Sequence, residues 1–211
     1  MNGIVTQLQL QRRHTDRVNV FLDEEFAFSL ALDLAAGLAR GQALSDAEVE
    51  RLRAEDAYRG ALDRALRFLG ARPRSQREVD AHLREREVAD PVRRRVIQRL
   101  EALALVDDRA FADWWVANRG ASQPRGRLAL QSELAARGLD RDTIEDALAA
   151  VDDASSAEDL ARSRAGRYRG LDRAGFERKL GGYLRRRGFD YDVVRHALDA
   201  AWSSIEDLEA R

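Results

Sequence analysis

The sequence predicts a mainly α fold: tandem three-helix repeat modules forming an elongated arc, preceded by a small N-terminal β-meander and helix region. Three observations carry this. A two-residue apolar period is confined to the first thirty residues, helix caps and glycine or proline breaks at helix-length intervals follow it, and the chain resembles itself at a spacing near fifty residues.

Taken in order, Ile4, Thr6, Leu8 and Leu10 alternate with Val5, Gln7 and Gln9, and Val18, Val20 and Leu22 alternate with Asn19, Phe21 and Asp23. This is the period of half-buried strands. His14-Thr15-Asp16 reads as the turn between them, and Asp23-Glu24-Glu25 sets off a third short piece, Phe26-Ala27-Phe28, with no strand expected from Ser29 onward. So few strands are marginal alone, so the following helix must cover them. Helix starts are marked by Ser45 with Glu48 and by Ser75 with Glu78, two capping boxes in which each side chain takes up the other residue's free backbone donor. Gly41, Gly70 with Pro73, Gly120 with Pro124, Gly138, Gly170 and Gly188 punctuate the helix ends.

The repeat aligns Leu83, Leu134 and Leu184, which stand 51 and 50 residues apart. A further helix follows each, with apolar positions at Val96 and Leu100, Ile144 and Leu148, Val194 and Leu198. A longer amphipathic helix precedes each, carrying Leu62, Leu66 and Leu69, then Phe111 and Trp115, then Leu160 with Tyr168. The expected organisation is residues 1–56 for the β-meander with helices, then modules at 57–106, 107–153 and 154–211. The first repeat has Glu87 where the others have Gly138 and Gly188, and three additional residues before Val96. Modules this small bury little core alone, so neighbours are expected to meet along a line.

Composition narrows the function. With 45% hydrophobic residues the chain can fill these cores, and with no cysteine it has neither disulfides nor thiolate metal sites. His14, His82 and His196 share no ligand spacing, and no cofactor is expected. No leader-like N-terminus is seen, and Phe26 to Ala39, broken by Asp33, is too short to span a bilayer, so a cytoplasmic protein without membrane contact is expected. The net charge of -1 argues against a strongly basic nucleic-acid binder, yet residues 57–106 hold twelve Arg against seven acids and residues 154–202 eleven Arg plus Lys against seven. Residues 1–56 and 107–153 each hold six Arg against ten acids.

No Walker loop, G-x-S-x-G or His-Glu-x-x-His is present, so the chain reads as a non-enzyme. Asp107-Asp108 is the one tempting carboxylate pair and reads as an N-cap with a first-turn acid. Trp115 belongs in a core stripe with Phe111 and Val116, while Trp114 lies between core and surface. Arg93-Arg94-Arg95 and Arg185-Arg186-Arg187 each spread around a helix, so some members must face solvent and can meet phosphate or an acidic protein surface. Alanine at all three positions of either triplet is expected to leave folding intact.

Beyond this, the segment Leu103-Ala104-Leu105-Val106-Asp107-Asp108-Arg109-Ala110-Phe111-Ala112-Asp113-Trp114-Trp115-Val116-Ala117-Asn118-Arg119, followed by Pro124-Arg125-Gly126 and Glu133-Leu134-Ala135-Ala136-Arg137-Gly138-Leu139, resembles the most characteristic stretch of the RecX family. Arg74-Ser75-Gln76-Arg77-Glu78-Val79 with Leu83 is similar to that family's first repeat, and Leu22-Asp23-Glu24-Glu25-Phe26-Ala27-Phe28 to the beginning of its longer members. The resemblance implies three-helix modules and binding to the RecA recombinase and its filament on single-stranded DNA, restraining ATP hydrolysis, strand exchange and stimulated repressor cleavage. On charge and expected exposure, the contact candidates are Arg74, Arg77, Arg93, Arg94, Arg95, Arg185, Arg186 and Arg187. A monomer with weak DNA contact at most is expected. Two other classes stay open: a helical regulator that binds DNA directly, against which the net charge counts, and a scaffold for an unrelated acidic partner.

Overall fold

The structure is a computed structural model that describes residues 2–12, 15–122 and 124–209, the side chains at 120–122 and 206–209 excepted. His14, part of the expected first turn, lies outside the described residues. The chain divides into two compact units: Met1–Arg72 with Val79–Leu105, and Pro73–Glu78 with Val106–Arg211.

The first unit opens with strands β1 (Gly3–Leu10), β2 (Arg17–Leu22) and β3 (Glu25–Ala31), a single helical turn α1 (Leu32–Ala35) and a two-residue strand β4 (Ala43–Leu44). They form one antiparallel sheet in the order β3-β2-β1-β4. Two expectations need correction here: the third strand runs on to Ala31, and a fourth strand pairs Ala43 and Leu44 with Ile4 and Gly3. The simple alternation in β1 also fails. A bulge between Val5 and Gln7 reverses the side-chain parity, so Val5 and Leu8 face the core opposite Leu22 and Val20, while Ile4 and Leu10 stay exposed. The β2–β3 turn places both Asp23 and Glu24 at positive φ (47° and 74°), matching the twist of a two-residue hairpin.

Helix α2 (Asp46–Leu69) starts at the Ser45 capping box, with Glu48 Oε2 accepting from Ser45 N at 2.8 Å and Ser45 Oγ accepting from Glu48 N. Its first half buries Val49 against the sheet. Asp56 ties the two together, accepting from the Ala31 amide at 2.7 Å and pairing with Arg17 at 2.8 Å. Its second half continues unbroken into the first module, so the sheet and that module share one helix.

α3 (Gln76–Arg84) and α4 (Asp90–Ala102) complete the first module around Ala61, Ala65, Val79, Leu83, Val96, Ile97 and Leu100. The buried face of α2 here is alanine; Leu66, expected inside, is exposed. The three additional residues before Val96 form an extra turn at the start of α4, which begins six positions before Val96, whereas the matching helix of the next module begins three before Ile144.

The second unit holds α5 (Asp108–Ser122), α6 (Arg127–Ala135) and α7 (Arg141–Leu148), then α8 (Asp153–Ala165), a 3₁₀ turn at Gly166–Tyr168, α9 (Arg173–Phe176), a π turn at Glu177–Gly181, α10 (Gly182–Arg186) and α11 (Tyr191–Glu209). Gly120 lies inside α5 rather than ending it. Phe111, Trp115, Leu130, Leu134, Ile144 and Leu148 fill one core, and Phe176, Leu180, Leu184, Phe189, Val194 and Leu198 a second. The side of α8 facing the second core is again alanine: 157, 161 and 165.

Two joints in this unit repeat one design. Ser75 Oγ donates to the Arg137 carbonyl at 2.8 Å, the Gln76 amide donates to Asp108 Oδ1 at 2.8 Å, and a methyl at Gly138 would stand 2.3 Å from Arg77 Cδ. At the second joint the Gly126 amide donates to the Arg187 carbonyl at 2.9 Å, the Arg127 amide donates to Asp153 Oδ1 at 2.9 Å, and a methyl at Gly188 would stand 2.3 Å from Ala129 Cβ and 2.4 Å from its nitrogen. The starts of α3 and α6 are thus capped by later segments. Gly138 and Gly188, at φ of 86° and 87°, serve both the left-handed turn and the close approach. Glu87 occupies the matching turn at φ 58° and is exposed, so only the modest strain of a left-handed residue applies there.

Candidate partner-binding surface

One arginine triplet lies in the first half of α4 and the other at the end of α10. In the first unit, α4 turns Val96 and Ile97 inward and leaves the preceding residues to divide by their partners. Arg93 is only 14% exposed in its side chain: Nε donates to Asp80 at 2.8 Å, Nη2 to Asp90 at 2.9 Å and Nη1 to the Val88 carbonyl at 2.9 Å. The Asp80 hydrogen bond raises the Arg93 pKa further above the usual arginine range. Arg93 thus departs from the exposure expected of its triplet, and it helps to hold α4 against α3. Arg94, 70% exposed, pairs with Asp90 on its own helix. Arg95, 53% exposed, bonds Glu55 Oε2 at 2.8 Å and lies 3.8 Å over the Tyr58 ring. That hydrogen bond is the first cause of the lowered Glu55 pKa. Exposed pairs of this kind are worth about 0–1 kcal/mol, so Arg94 and Arg95 can exchange their partners for another anion.

In the second unit, Arg185 and Arg186 at the end of α10 are exposed and have no ion-pair partner among the described residues. Arg187 is half-buried over the Tyr183 ring at 5.2 Å, with Arg164 at 5.1 Å from the same ring. Arg77 is exposed, but its aliphatic stem lies under Gly138, and Arg74 is half-buried. Arg93, Arg94 and Arg95 lie in the first unit, Arg74, Arg77 and the second triplet in the other.

The middle module carries a polar network that single residue types do not signal. Trp115, 6% exposed, donates from Nε1 to Glu133 Oε2 at 2.9 Å, while the guanidinium groups of Arg137 and Arg119 stand 3.6 and 4.5 Å from its ring centre. Arg119 also donates to Glu133 at 3.2 Å, and Arg125 approaches the other oxygen at 3.5 Å. Trp115 is thus the core residue expected, and Trp114 packs half-buried against the same core. Asp107 is the N-cap of α5, accepting from Arg109 N and Ala110 N at 2.8 and 3.0 Å. Asp108 does more than a first-turn acid, because it caps α3 from outside, and burial raises its carboxyl above the ordinary 3.8. Asp153 does the same for α6, again with burial raising its pKa. Among the described residues no group of three or more His, Asp or Glu is placed to hold a metal ion, and no helix is long and apolar enough to cross a membrane.

These features define a class: a tandem three-helix-repeat protein with a sheet-bearing N-terminal region and exposed arginines on helices of its first and third modules. Comparison with known proteins goes further. The description "Regulatory protein RecX N-terminal domain" matches residues 3–45, and those of the first, second and third three-helix domains of RecX match 61–100, 107–148 and 152–198. Regulatory protein RecX of Bacillus subtilis (strain 168) is 31% identical over 97% of this chain and 80% of its own length. That of Clostridioides difficile (strain 630) is 27% identical over 93% and 95%. A crystal structure of regulatory protein RecX superposes with a TM-score of 0.71 at 24% identity, covering 94% of this chain and all of the other. RecX from Lactobacillus salivarius gives 0.64 at 24% identity over 70% and 97%. The chain belongs to the RecX family of regulatory proteins.

Proposed function

We propose that this protein binds the RecA recombinase assembled on single-stranded DNA and lowers its ATP hydrolysis, strand exchange and stimulated repressor cleavage, acting by occupancy and not by chemistry of its own. The observation that carries the reading is the family match across the sheet region and all three modules of one chain. The exposed arginines support it: Arg94, Arg95, Arg185 and Arg186, with Arg77, present donors to an acidic protein surface or to phosphate. Several weak contacts on one chain add through effective concentration. The proposed setting is the cytoplasm, where recombinase and DNA meet, and the proposed acting form is the monomer.

The test is recombinase ATPase on single-stranded DNA titrated with this protein. A dose-dependent fall in hydrolysis, with the recombinase still needed to retain the protein on DNA, supports the reading. Tight binding to naked DNA with unchanged hydrolysis would transfer the protein to the class of direct DNA-binding regulators.

A further inference from the structure

The third module carries an open groove between the π turn and α11. Its volume is about 560 Å³, within the range of sites that take small molecules or side chains. Gly181, Val194 and Leu198 line it with apolar surface. A methyl at Gly181 would stand 3.1 Å from Leu198 Cδ1, so the leucine tip would have to give by a few tenths of an ångström to admit it. The rim is cationic and aromatic: Arg178 and Arg185 have no ion-pair partner among the described residues, and Tyr191 beside them is 68% exposed, the largest exposure of any large hydrophobic residue described. The two carboxylates at the edge, Glu177 and Asp199, are both held by Arg173. They are already neutralised in part, and the unpaired charge facing the groove is positive. A π turn in an otherwise α-helical segment costs regular hydrogen bonding and is frequently found at functional sites.

We propose that this groove docks an acidic peptide segment of a partner protein, with one aliphatic or aromatic side chain on the Gly181–Val194–Leu198 floor and its carboxylates on Arg178 and Arg185. An apolar floor with a charged rim suits a peptide anchor. A nucleic-acid strand would rely on Tyr191 alone for stacking and would bring its phosphates near Glu177 and Asp199. The proposal deepens the partner-facing reading of Arg185 and rests on it.

The experiment is a fluorescence-anisotropy titration of the full chain into a fluorescein-labelled twelve-residue peptide of glutamates around a single leucine. A glutamine-for-glutamate version and a labelled twelve-nucleotide oligothymidylate run in parallel. The acidic peptide should bind about tenfold or more tightly than the glutamine peptide, and Arg178→Gln with Arg185→Gln should remove about that factor. Tyr191→Ala should weaken the peptide while circular dichroism stays unchanged. Equal binding of both peptides, or acidic-peptide binding unaffected by the arginine substitutions, would overturn the proposal. So would loss of oligothymidylate binding in those variants without any peptide binding, which would make this a nucleic-acid groove. No recombinase is present in the titration, so its failure does not bear on recombinase inhibition, and failure to inhibit the recombinase does not bear on peptide binding.

Discussion

Replacing Gly188 by alanine tests whether the joint, and not only the turn, demands glycine. At φ 87° an L residue costs about 1–2 kcal/mol from the clash of its Cβ with the backbone. The added methyl also falls 2.3 Å from Ala129 Cβ and 2.4 Å from its nitrogen, and crowding of packed atoms of this kind adds about 1–3 kcal/mol. Together the substitution should destabilise the second unit by about 2–5 kcal/mol, with about 0.4–1 kcal/mol returned by the stiffer unfolded chain. Gly170 is the control, since it has φ 80° but nothing within 4 Å of its would-be methyl, so Gly170→Ala should cost only the backbone part. Gly138→Ala should fall between them, because the atoms it meets belong to the Arg77 side chain. The assay is urea denaturation of the full chain followed by tryptophan fluorescence and circular dichroism, compared at matched midpoints because several modules need not unfold in one step. Equal losses for Gly188→Ala and Gly170→Ala would refute the joint as the reason for glycine.

Trp115→Ala should cost about 3–5 kcal/mol, since it empties a core site and strips Glu133 of a donor, and Trp114→Ala clearly less; equal small losses in denaturant melts would reverse the assigned faces. Arg93→Ala should destabilise the first unit clearly more than Arg94→Ala, which should stay within about 0.5 kcal/mol, as read by thermal melts. Asp108→Asn addresses pH. Burial raises the folded carboxyl above its unfolded value of 3.8, so the associated stability is fully present below 3.8 and lost as pH rises through the raised value. Acidification over that window should therefore stabilise the wild type at this site more than Asp108→Asn, whose amide oxygen still accepts from Gln76. Parallel stability–pH curves for the two proteins would contradict this.

Much of this was legible because the signals are local or periodic. The Ser45 and Ser75 caps need only residues three apart, and both boxes form. Leu83, Leu134 and Leu184 repeat because each sits at the centre of its module, and all three are fully buried. What could not be read depends on distant neighbours. The bulge in β1 and the two-residue β4 exist only through pairing, and no intrinsic preference of Thr6 or Ala43 announces them. Alanine lines α2 and α8 where helices approach closely, so the buried face of α2 is marked by Ala61 and Ala65 and not by the larger Leu66. Arg93 finds Asp80 thirteen positions away, which converts an apparent surface charge into a structural one. Asp108 and Asp153 cap helices 32 and 26 positions before them, which no local pattern encodes. Nothing in the sequence marks Tyr191 and Arg178, since a groove is a property of packed elements.

The measurement that bears most directly on the account is recombinase ATPase on single-stranded DNA, titrated with the wild-type chain and with a folded Arg185→Ala/Arg186→Ala variant at low and at physiological salt. Exposed charge contacts are screened over about 8 Å at physiological ionic strength, so wild-type inhibition should weaken as salt rises. On the proposal that the two arginines carry part of the contact, the variant should inhibit less at low salt and show a shallower salt dependence. A variant that retains its circular dichroism and inhibits like wild type at both salt concentrations would show that these arginines are only a solvated surface and that the regulatory contact lies elsewhere.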